Sequence, residues 1–369
     1  MKPSVPRKLP LQGLAWERLI PEIGAANRAI AHYDGVLRAI PNPDILLSPL
    51  TTQEAVLSSR IEGTRATLGE VLKFEAGELV PEEEKRRDIE EIVNYRRALR
   101  AAEAALERRP FNLNLLRELH GVLLEGVRGR NKGRGRFRTV QNYIAPLGAP
   151  IEQAEFIPPD PRRVLEYMDN WEKYYHTEER DGLVQLAIVH AQFEVIHPFV
   201  DGNGRLGRML IPLFLFEKGI LKWPMFYLSA YLEANRAEYY ARLRALDGTD
   251  AWDRWIAFFL GALADQARLN TEKAHGILEL YARLKREMLA LTRSQYAVPL
   301  LDHLFHQPIF APSDLLTFED MPSKPMVMEL IRKLRQSGIL TTLRRASGRR
   351  GQILALSELV NLCEGRKVV

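Results

Sequence analysis

Apolar positions recur at three- and four-residue spacing through most of the chain, while alternation with a period of two is scarce and short, so the pattern predicts a mainly α protein. Leu14 to Ala39 reads as a helix broken at Pro21 and ended by Pro41-Asn42-Pro43. Thr51, with Glu54 three residues on, forms a capping box for a helix to about Ile61, which Gly63 stops. A mixed-charge helix is expected from Glu82 to Arg109, and Leu115, Leu116, Leu119 and Leu123 mark a further stripe. Asp160-Pro161 supplies a cap and a first-position proline for a helix carrying Val164, Leu165, Met168 and Trp171 on one side. Another begins near Gly182 and runs through Leu183, Leu186, Ala187, His190 and Phe193 into His197-Pro198-Phe199. Ser229 to Leu263 predicts two aromatic-rich helices, followed by a long charged helix to about Thr292.

Two regions depart from this grammar. Between Gly126 and Pro161, Arg128, Arg130, Lys132, Arg134, Arg136 and Arg138 crowd a glycine-bearing stretch, and Val140 to Ile157 reads as a loop or small hairpin suited to a mobile flap. Beyond Thr292, helices are expected at Tyr296 to His306, after Pro312-Ser313 and at Lys324 to Gln336. Strands Ile339 to Leu343 and Gln352 to Leu356 follow around a turn from Ser347 to Gly351. Three helices and a hairpin are the parts of a winged helix.

With 369 residues, 46% apolar, 27% charged and a net charge of +5, the composition is that of a globular protein, which excludes a disordered tail or a membrane bundle. A single cysteine, Cys363, excludes an internal disulfide and a four-thiolate zinc site, so a reducing, cytoplasmic setting is expected. No stretch offers the ~20 uninterrupted apolar residues of a membrane span.

The densest chemistry lies at His197-Pro198-Phe199-Val200-Asp201-Gly202-Asn203-Gly204-Arg205-Leu206-Gly207-Arg208. Gly202 to Gly207 satisfies G-x-G-x-x-G, but a helix precedes it where a dinucleotide site needs a strand. Zinc through His190 and His197 fails because no cysteine pair or His-Glu-x-x-His spacing accompanies them; His190 is better read as a satisfied helix residue. The third reading joins the parts into a phosphate site. Helix-start amides face an anion, Gly202 and Gly204 remove side chains that would hold it off, and Arg205 and Arg208 share one side of the helix. Asp201 is a hard oxygen ligand suited to magnesium, and His197 is a base that titrates near neutrality. Phe199 is read as a core anchor.

This run resembles the Fic signature His-Pro-Phe-x-Asp/Glu-Gly-Asn-Gly-Arg-x-x-Arg at every specified position. The likeness extends to Gly135-Arg136-Phe137-Arg138 with Val140-Gln141 and Phe156-Ile157-Pro158-Pro159, similar to the family's flap region, and to His190-x-x-Phe193-Glu194-x-Ile196. Upstream, Ser58-Ser59-Arg60-Ile61-Glu62-Gly63 resembles the family's inhibitory motif Ser/Thr-x-x-x-Glu-Gly/Asn. The resemblance implies a Fic-type helical core with a small flap hairpin, arranged as an N-terminal helical region (1–110, inhibitory helix about 51–63), a catalytic domain (111–262), a connecting helix (263–292) and a winged helix (293–369). It implies transfer of AMP from ATP to a hydroxyl of a target protein. His197 would be the base, Asp201 the magnesium ligand, and Gly202, Asn203, Gly204, Arg205 and Arg208 the phosphate contacts. Tyr239 and Tyr240 fall where the family's adenine pocket lies, and Gln153, Ala154, Glu155 and Phe156 would pair with an extended target segment.

Glu62 at the negative end of a helix wants a cation, and the resemblance names Arg208. Pairing there would deny ATP its clamp and restrain the enzyme, with Ser58 orienting the inhibitory helix. Two alternatives stand beside this reading: a nucleotide-sensing regulator that binds DNA through Arg332, Lys333, Arg335, Arg344, Arg345, Arg349 and Arg350, and an enzyme that removes AMP with Glu62 placing a water. The expected partners are a target protein with an acceptor hydroxyl, the chain itself (Tyr143 lies in the flap), a second copy in a homodimer, and DNA at the winged helix; no membrane partner is expected. Pro212 predicts a kink in the helix after the motif.

Overall fold

A computed structural model of the chain describes residues 2–127, 133–145, 149–247, 251–348 and 350–368. Its helices are α1 (Trp16–Ala39), α2 (Pro43–Leu46), α3 (Ser48–Ile61), α4 (Leu68–Glu75), α5 (Glu83–Leu106), α6 (Leu113–Leu123), α7 (Val164–His176), α8 (Gly182–Ile196), α9 (Asn203–Glu217), α10 (Ser229–Ala234), α11 (Arg236–Arg244), α12 (Ala251–Thr292), α13 (Ala297–His306), α14 (Lys324–Gln336) and α15 (Ser357–Glu364). The strands are β1 (Ile309–Phe310), β2 (Thr341–Arg344) and β3 (Ile353–Ala355). They divide between two compact units interleaved in sequence: 1–34, 57–63 and 94–268 form the first, and 35–56, 64–93 and 269–369 the second.

The first unit is built around α8 and α9. Thirteen of the fifteen residues of α8 are buried, from Leu183 through Ile196, and α9 buries another unbroken run from Arg205 to Leu215. A helix apolar on all sides has to be surrounded, and α7 and α9 pack along α8 to do so. Asp181 starts α8 by accepting from the amides of Leu183 and Val184, both at 2.9 Å. Trp171 and Trp255 donate their indole N–H groups to the Val189 and Ala187 carbonyls at 2.8 Å, which orients two of the largest buried side chains against the helix. His190 is the satisfied residue the sequence suggested. Its Nδ1 lies 3.1 Å from the Gly207 carbonyl, which can only accept, so Nε2 accepts from Tyr239 Oη at 2.9 Å. Burial pushes that imidazole down to about 3, so it stays neutral.

In the second unit, antiparallel strands lie in the order β1-β3-β2, with Ala355 opposite Ile309 on one side and Thr341 on the other. α13 packs on α2, and α4 on β1 and α15. Lys273 donates to Gln53 Oε1 at 2.9 Å and the Cys363 carbonyl at 2.8 Å. Cys363 is fully buried, and burial pushes its thiol up to about 12. Of the basic residues in this unit, Arg332 pairs with Glu329 at 2.6 Å and Arg344 donates to the Gly351 carbonyl at 3.0 Å, while Arg335, Arg345 and Arg350 are exposed. Arg349, like Arg128, Arg130 and Lys132, lies outside the described residues. Among the described residues no helix is long and apolar enough to cross a membrane.

Four local expectations need correction. α1 runs unbroken through Pro21, because Pro21 lies on the exposed side and the carbonyl freed by its missing N–H belongs to exposed Glu17, within reach of water. α3 begins at Ser48 with Pro49 in its first turn, which leaves Thr51 inside the helix, its amide on the Leu47 carbonyl at 3.2 Å. The reciprocal box forms at Thr67 and Glu70 instead, at the start of α4. The second aromatic helix and the charged helix after it are one, α12, since no proline interrupts them. β1, too short to leave a pattern, completes a sheet where only a hairpin was expected.

The end of α9 supplies a stability test. Glu217 accepts from the Phe111 amide at 2.7 Å and from the buried hydroxyl of Tyr175 at 2.6 Å. Glu217→Ala leaves both donors without a partner, so equilibrium urea unfolding should show a loss of about 2–4 kcal/mol. Glu217→Gln, which keeps one acceptor, should lose less.

Candidate active site

All the residues of the twelve-residue run converge at the junction between α8 and α9. His197 caps α8 in the left-handed region, with φ of 49°, a conformation that costs a residue with a Cβ and is held by its surroundings. Gly202, at φ of 79°, turns the chain into α9. Asn203 closes the loop between them, its side chain accepting from the Phe199 amide and donating to the Phe199 carbonyl, both at 2.8 Å. Its side chain is thus spent on the loop, and what Asn203 offers a ligand is its backbone N–H in the first turn of α9.

His197 Nδ1 lies 3.3 Å from the Glu194 carbonyl oxygen. A carbonyl only accepts, so Nδ1 carries the hydrogen and Nε2 presents a lone pair. Burial pushes the imidazole down to about 4, against the Glu194 carbonyl and the charge of Glu62, which favour the protonated form. At neutral pH the ring is therefore a ready proton acceptor.

Glu62 follows the last residue of α3, and its Oε1 accepts from Arg208 at 2.7 Å. Ser58 completes the grip, its Oγ accepting from Arg208 Nε and its carbonyl from Nη2, both at 2.9 Å. The carboxylate also lies over Gly204: a Cβ placed there would fall inside the van der Waals radius of Glu62 Oε1. Burial alone would raise the Glu62 carboxyl, but the charge and hydrogen bond of Arg208, with help from Arg205 and His197, hold it below the usual range. An anion thus lies beside the start of α9 and against Arg208, next to the place a phosphate would take. Arg205 lies 3.7 Å from Asp201, whose Oδ1 also accepts from the Gly202 amide at 2.7 Å.

Three supporting residues escaped sequence reasoning. Arg138 is 2% exposed and donates to the carbonyls of His197 at 2.9 Å, Ile196 at 3.3 Å and Pro159 at 2.6 Å, so a guanidinium caps the negative end of α8 and ties the flap's root to it. The sequence showed it as one of six basic residues and as the end of the Gly135-Arg136-Phe137-Arg138 run, without its role. His120 accepts from the Gly135 amide and donates to the Asp201 carbonyl, both at 2.9 Å, with its ring stacked 3.8 Å from that of Phe199. Glu194 sits one helical turn before His197, and its Oε1 is buried without a hydrogen-bond partner.

Tyr239 and Tyr240 separate. Tyr239 is fully buried on His190, while Tyr240 lines a cleft with Glu194 and flap residues Ile144 and Phe156. In the flap, an isolated antiparallel bridge joins Ile144 and Phe156, and Ile151 to Gln153 form a single 3₁₀ turn. The amides of Gln153, Ala154, Glu155 and Phe156 all bond within the flap, to the carbonyls of Pro150, Ile151 and Ile144. In this state strand addition by the amides of these four residues requires those bonds to be exchanged. Glu155 pairs with Arg244.

The model of the Fic/DOC family N-terminal region matches residues 20–104, and that of the Fic/DOC family itself matches 110–215. A protein adenylyltransferase fic-1 from Caenorhabditis briggsae is 30% identical over 190 residues, covering 50% of this chain and 34% of that protein. A probable protein adenylyltransferase from Aquifex aeolicus is 31% identical over 146 residues, 37% of this chain and 45% of that one. The chain therefore spans between a third and a half of the length of these curated relatives. Among solved structures, a Fic family protein from Desulfovibrio desulfuricans G20 aligns over 96% of this chain and 98% of its own with a TM-score of 0.57 at 21% identity. A Fic domain containing signaling protein from Bacteroides thetaiotaomicron aligns over 68% of this chain and 97% of its own, with a TM-score of 0.56 at 18% identity. These structures share its fold, and with its junction of histidine, glycine turn and paired arginines the chain belongs to the Fic/DOC family.

Proposed function

We propose that the chain is an adenylyltransferase held at rest by Glu62, transferring AMP from ATP to a Tyr, Thr or Ser hydroxyl of a target protein and releasing pyrophosphate. The observation that carries this reading is the Glu62 carboxylate resting on the start of α9 against Arg208, one loop away from the open Nε2 of His197. A site that holds one anion on a buried guanidinium beside a helix start meets the needs of another, and a phosphate has the same requirements.

In the reaction, the target's hydroxyl oxygen bonds to the α-phosphorus, the bond from that phosphorus to the oxygen bridging to the β-phosphate breaks, and the hydroxyl proton passes to His197 Nε2. The first-turn amides of α9 and Arg205 stabilise the negative charge that builds on the phosphoryl oxygens. Arg208 takes the outer phosphates once Glu62 has left it. Asp201 would hold a magnesium through its carboxylate, a hard oxygen donor whose Oδ1 already accepts from the Gly202 amide and lies near Arg205. When bound, that ion neutralises phosphate charge. The names of the adenylyltransferase relatives support the reaction class. Tyr143, 41% exposed in the flap, is the hydroxyl offered for self-modification.

Incubation with ATP and magnesium, followed by intact mass, should show AMP on the Glu62→Gly chain or on an added partner at roughly tenfold or more the parent's level. Adding His197→Ala to that variant should lower transfer by about 10²- to 10⁴-fold. Unchanged transfer on removing Glu62 would dismiss the restraint.

Ser58→Ala removes one of the two acceptors that hold Arg208 in place without touching the Glu62 pair. It should release part of the restraint, raising transfer about two- to fivefold, less than Glu62→Gly does. A Ser58→Ala protein as active as Glu62→Gly would mean that the hydroxyl, and not the carboxylate, sets the resting state.

The acid limb of kcat/KM for Glu62→Gly reports the free imidazole. With His197 pushed down to about 4, and the charge of Glu62 that favours its protonation removed, the neutral base survives well below the ordinary histidine range. Activity should fall only under about pH 5, and a limb at about pH 6.5 or above would contradict the burial argument.

A further inference from the structure

A small cleft of about 50 Å³ opens beside the junction. Ile144, Phe156, Val195 and Leu243 give it apolar walls, and Tyr240 adds an aromatic ring. Such walls suit a flat heteroaromatic ring. Two charged residues interrupt this lining, Arg244, which is paired with Glu155, and Glu194, a carboxyl set among apolar side chains.

The fold makes room for that carboxyl deliberately. A Cβ on Gly207 of α9 would collide with Glu194 Oε1, so the glycine at this position is what lets the side chain lie where it does. Yet no hydrogen bond repays its burial, and Oε1 has no partner. The charged and titratable groups around it are Arg208 of α9, Glu62 after α3, and Tyr239, Tyr240 and Arg244 of α11, the last already paired with Glu155. Burial raises the Glu194 carboxyl to about 7 despite the charge of Arg208, and Glu62 adds to the rise. An empty cleft tolerates the group because it can take up a proton near neutrality.

We propose that Glu194 reads the nucleotide base: its carboxyl accepts a hydrogen bond from the 6-amino group of an adenine seated between the flap bridge and α11. The inference rests on the nucleotide reading of the site and adds to it the residue that selects the base. In its protonated form the same carboxyl also has an O–H to donate to a ring nitrogen of adenine. The cleft and the phosphate site are joined through one turn of α8, from Glu194 to His197, so a base held in the first puts the phosphates near the second.

The test uses the full chain carrying Glu62→Gly, which leaves the phosphate site open, and calorimetric titration with ATP and with purine riboside triphosphate, which lacks only the 6-amino group, each with magnesium. ATP should bind about tenfold or more tightly than the analogue. Adding Glu194→Leu should bring the two affinities within about twofold, whereas Glu194→Gln, whose amide oxygen still accepts, should keep most of the preference. Neither variant should unfold at a lower temperature than its parent, since each removes a buried carboxyl that has no partner. A preference that persists in the leucine variant, or one that is absent before Glu194 is changed, overturns the proposal while leaving the site a nucleotide site. Failure of any nucleotide to bind the Glu62→Gly chain overturns the reading of the phosphate site, and this proposal with it.

Discussion

Everything at the junction follows from one buried cation. Arg208 is 1% exposed, so its guanidinium cannot be hydrated and must be satisfied by protein or ligand at all times. Ser58 provides two fixed acceptors and Glu62 the counter-charge. The two partners of the ion pair differ sharply, however. The Glu62 side chain is 35% exposed and lies past the last residue of α3, so it can turn into water and regain its hydration. Arg208 lies within a helix that is buried on nearly every side, and it has no such exit. The pair is an exchangeable anion on an immobile cation, and the cost of separating it falls almost wholly on the arginine unless another anion arrives.

The rest of the junction is arranged to keep charge of both signs at fixed ends of helices. α8 presents its carbonyls and α9 its amides to the same loop, and each end has a charge of the complementary sign close by: Arg138 on the carbonyls of Ile196 and His197, and the Glu62 carboxylate beside Gly204. Between them, Asn203 and His120 brace the loop through the backbone of Phe199 and Asp201. The left-handed conformation of His197 is held by Arg138 on its carbonyl, by the Phe193 carbonyl on its amide and by the Glu194 carbonyl on its ring, and the imidazole is aimed before any substrate is present. A preorganised base needs no rearrangement at the moment of proton transfer.

The chemistry of this junction was legible in the sequence because its parts are local. Glycines that free a turn, a helix start and two arginines one turn apart lie within twelve residues, and the anion site can be assembled from their spacing alone. Glu62 was legible only through its resemblance to a motif, since 146 residues separate it from Arg208. The roles of Arg138, His120 and Glu194 were not legible, although Arg138 and Glu194 fall in stretches that resemble the family: what distinguishes Arg138 from its basic neighbours is burial against two carbonyls of a distant helix, and no periodicity announces that. Neighbouring tyrosines show the same limit. Tyr239 and Tyr240 are indistinguishable by type, but successive residues on a helix point about 100° apart, and only packing decides that one meets His190 and the other a cleft. The capping box failed for a related reason. Thr51 and Glu54 satisfy the pattern, yet Pro49 starts the helix earlier, and a pattern of side chains cannot cap a turn that has already formed.

The same contrast between fixed and exchangeable parts governs how the resting state can end. The hydrogen-bonded line from the Gly207 carbonyl through His190 to Tyr239 ties α9, α8 and α11 together with neutral groups that change charge only at strongly acidic pH. Those helices therefore carry the cleft and the cation as one body. Glu62 is held below the ordinary carboxylate range by that cation, so lowering the pH moderately does not neutralise it or break the pair. What remains is competition: a polyanion that reaches the helix-start amides and Arg208 together offers more charge than one carboxylate, and its gain has to exceed the cost of displacing Glu62. Anything that holds Glu62 outward, whether a partner's surface or a shift of the turn at Gly63, would lower that cost without touching the catalytic groups.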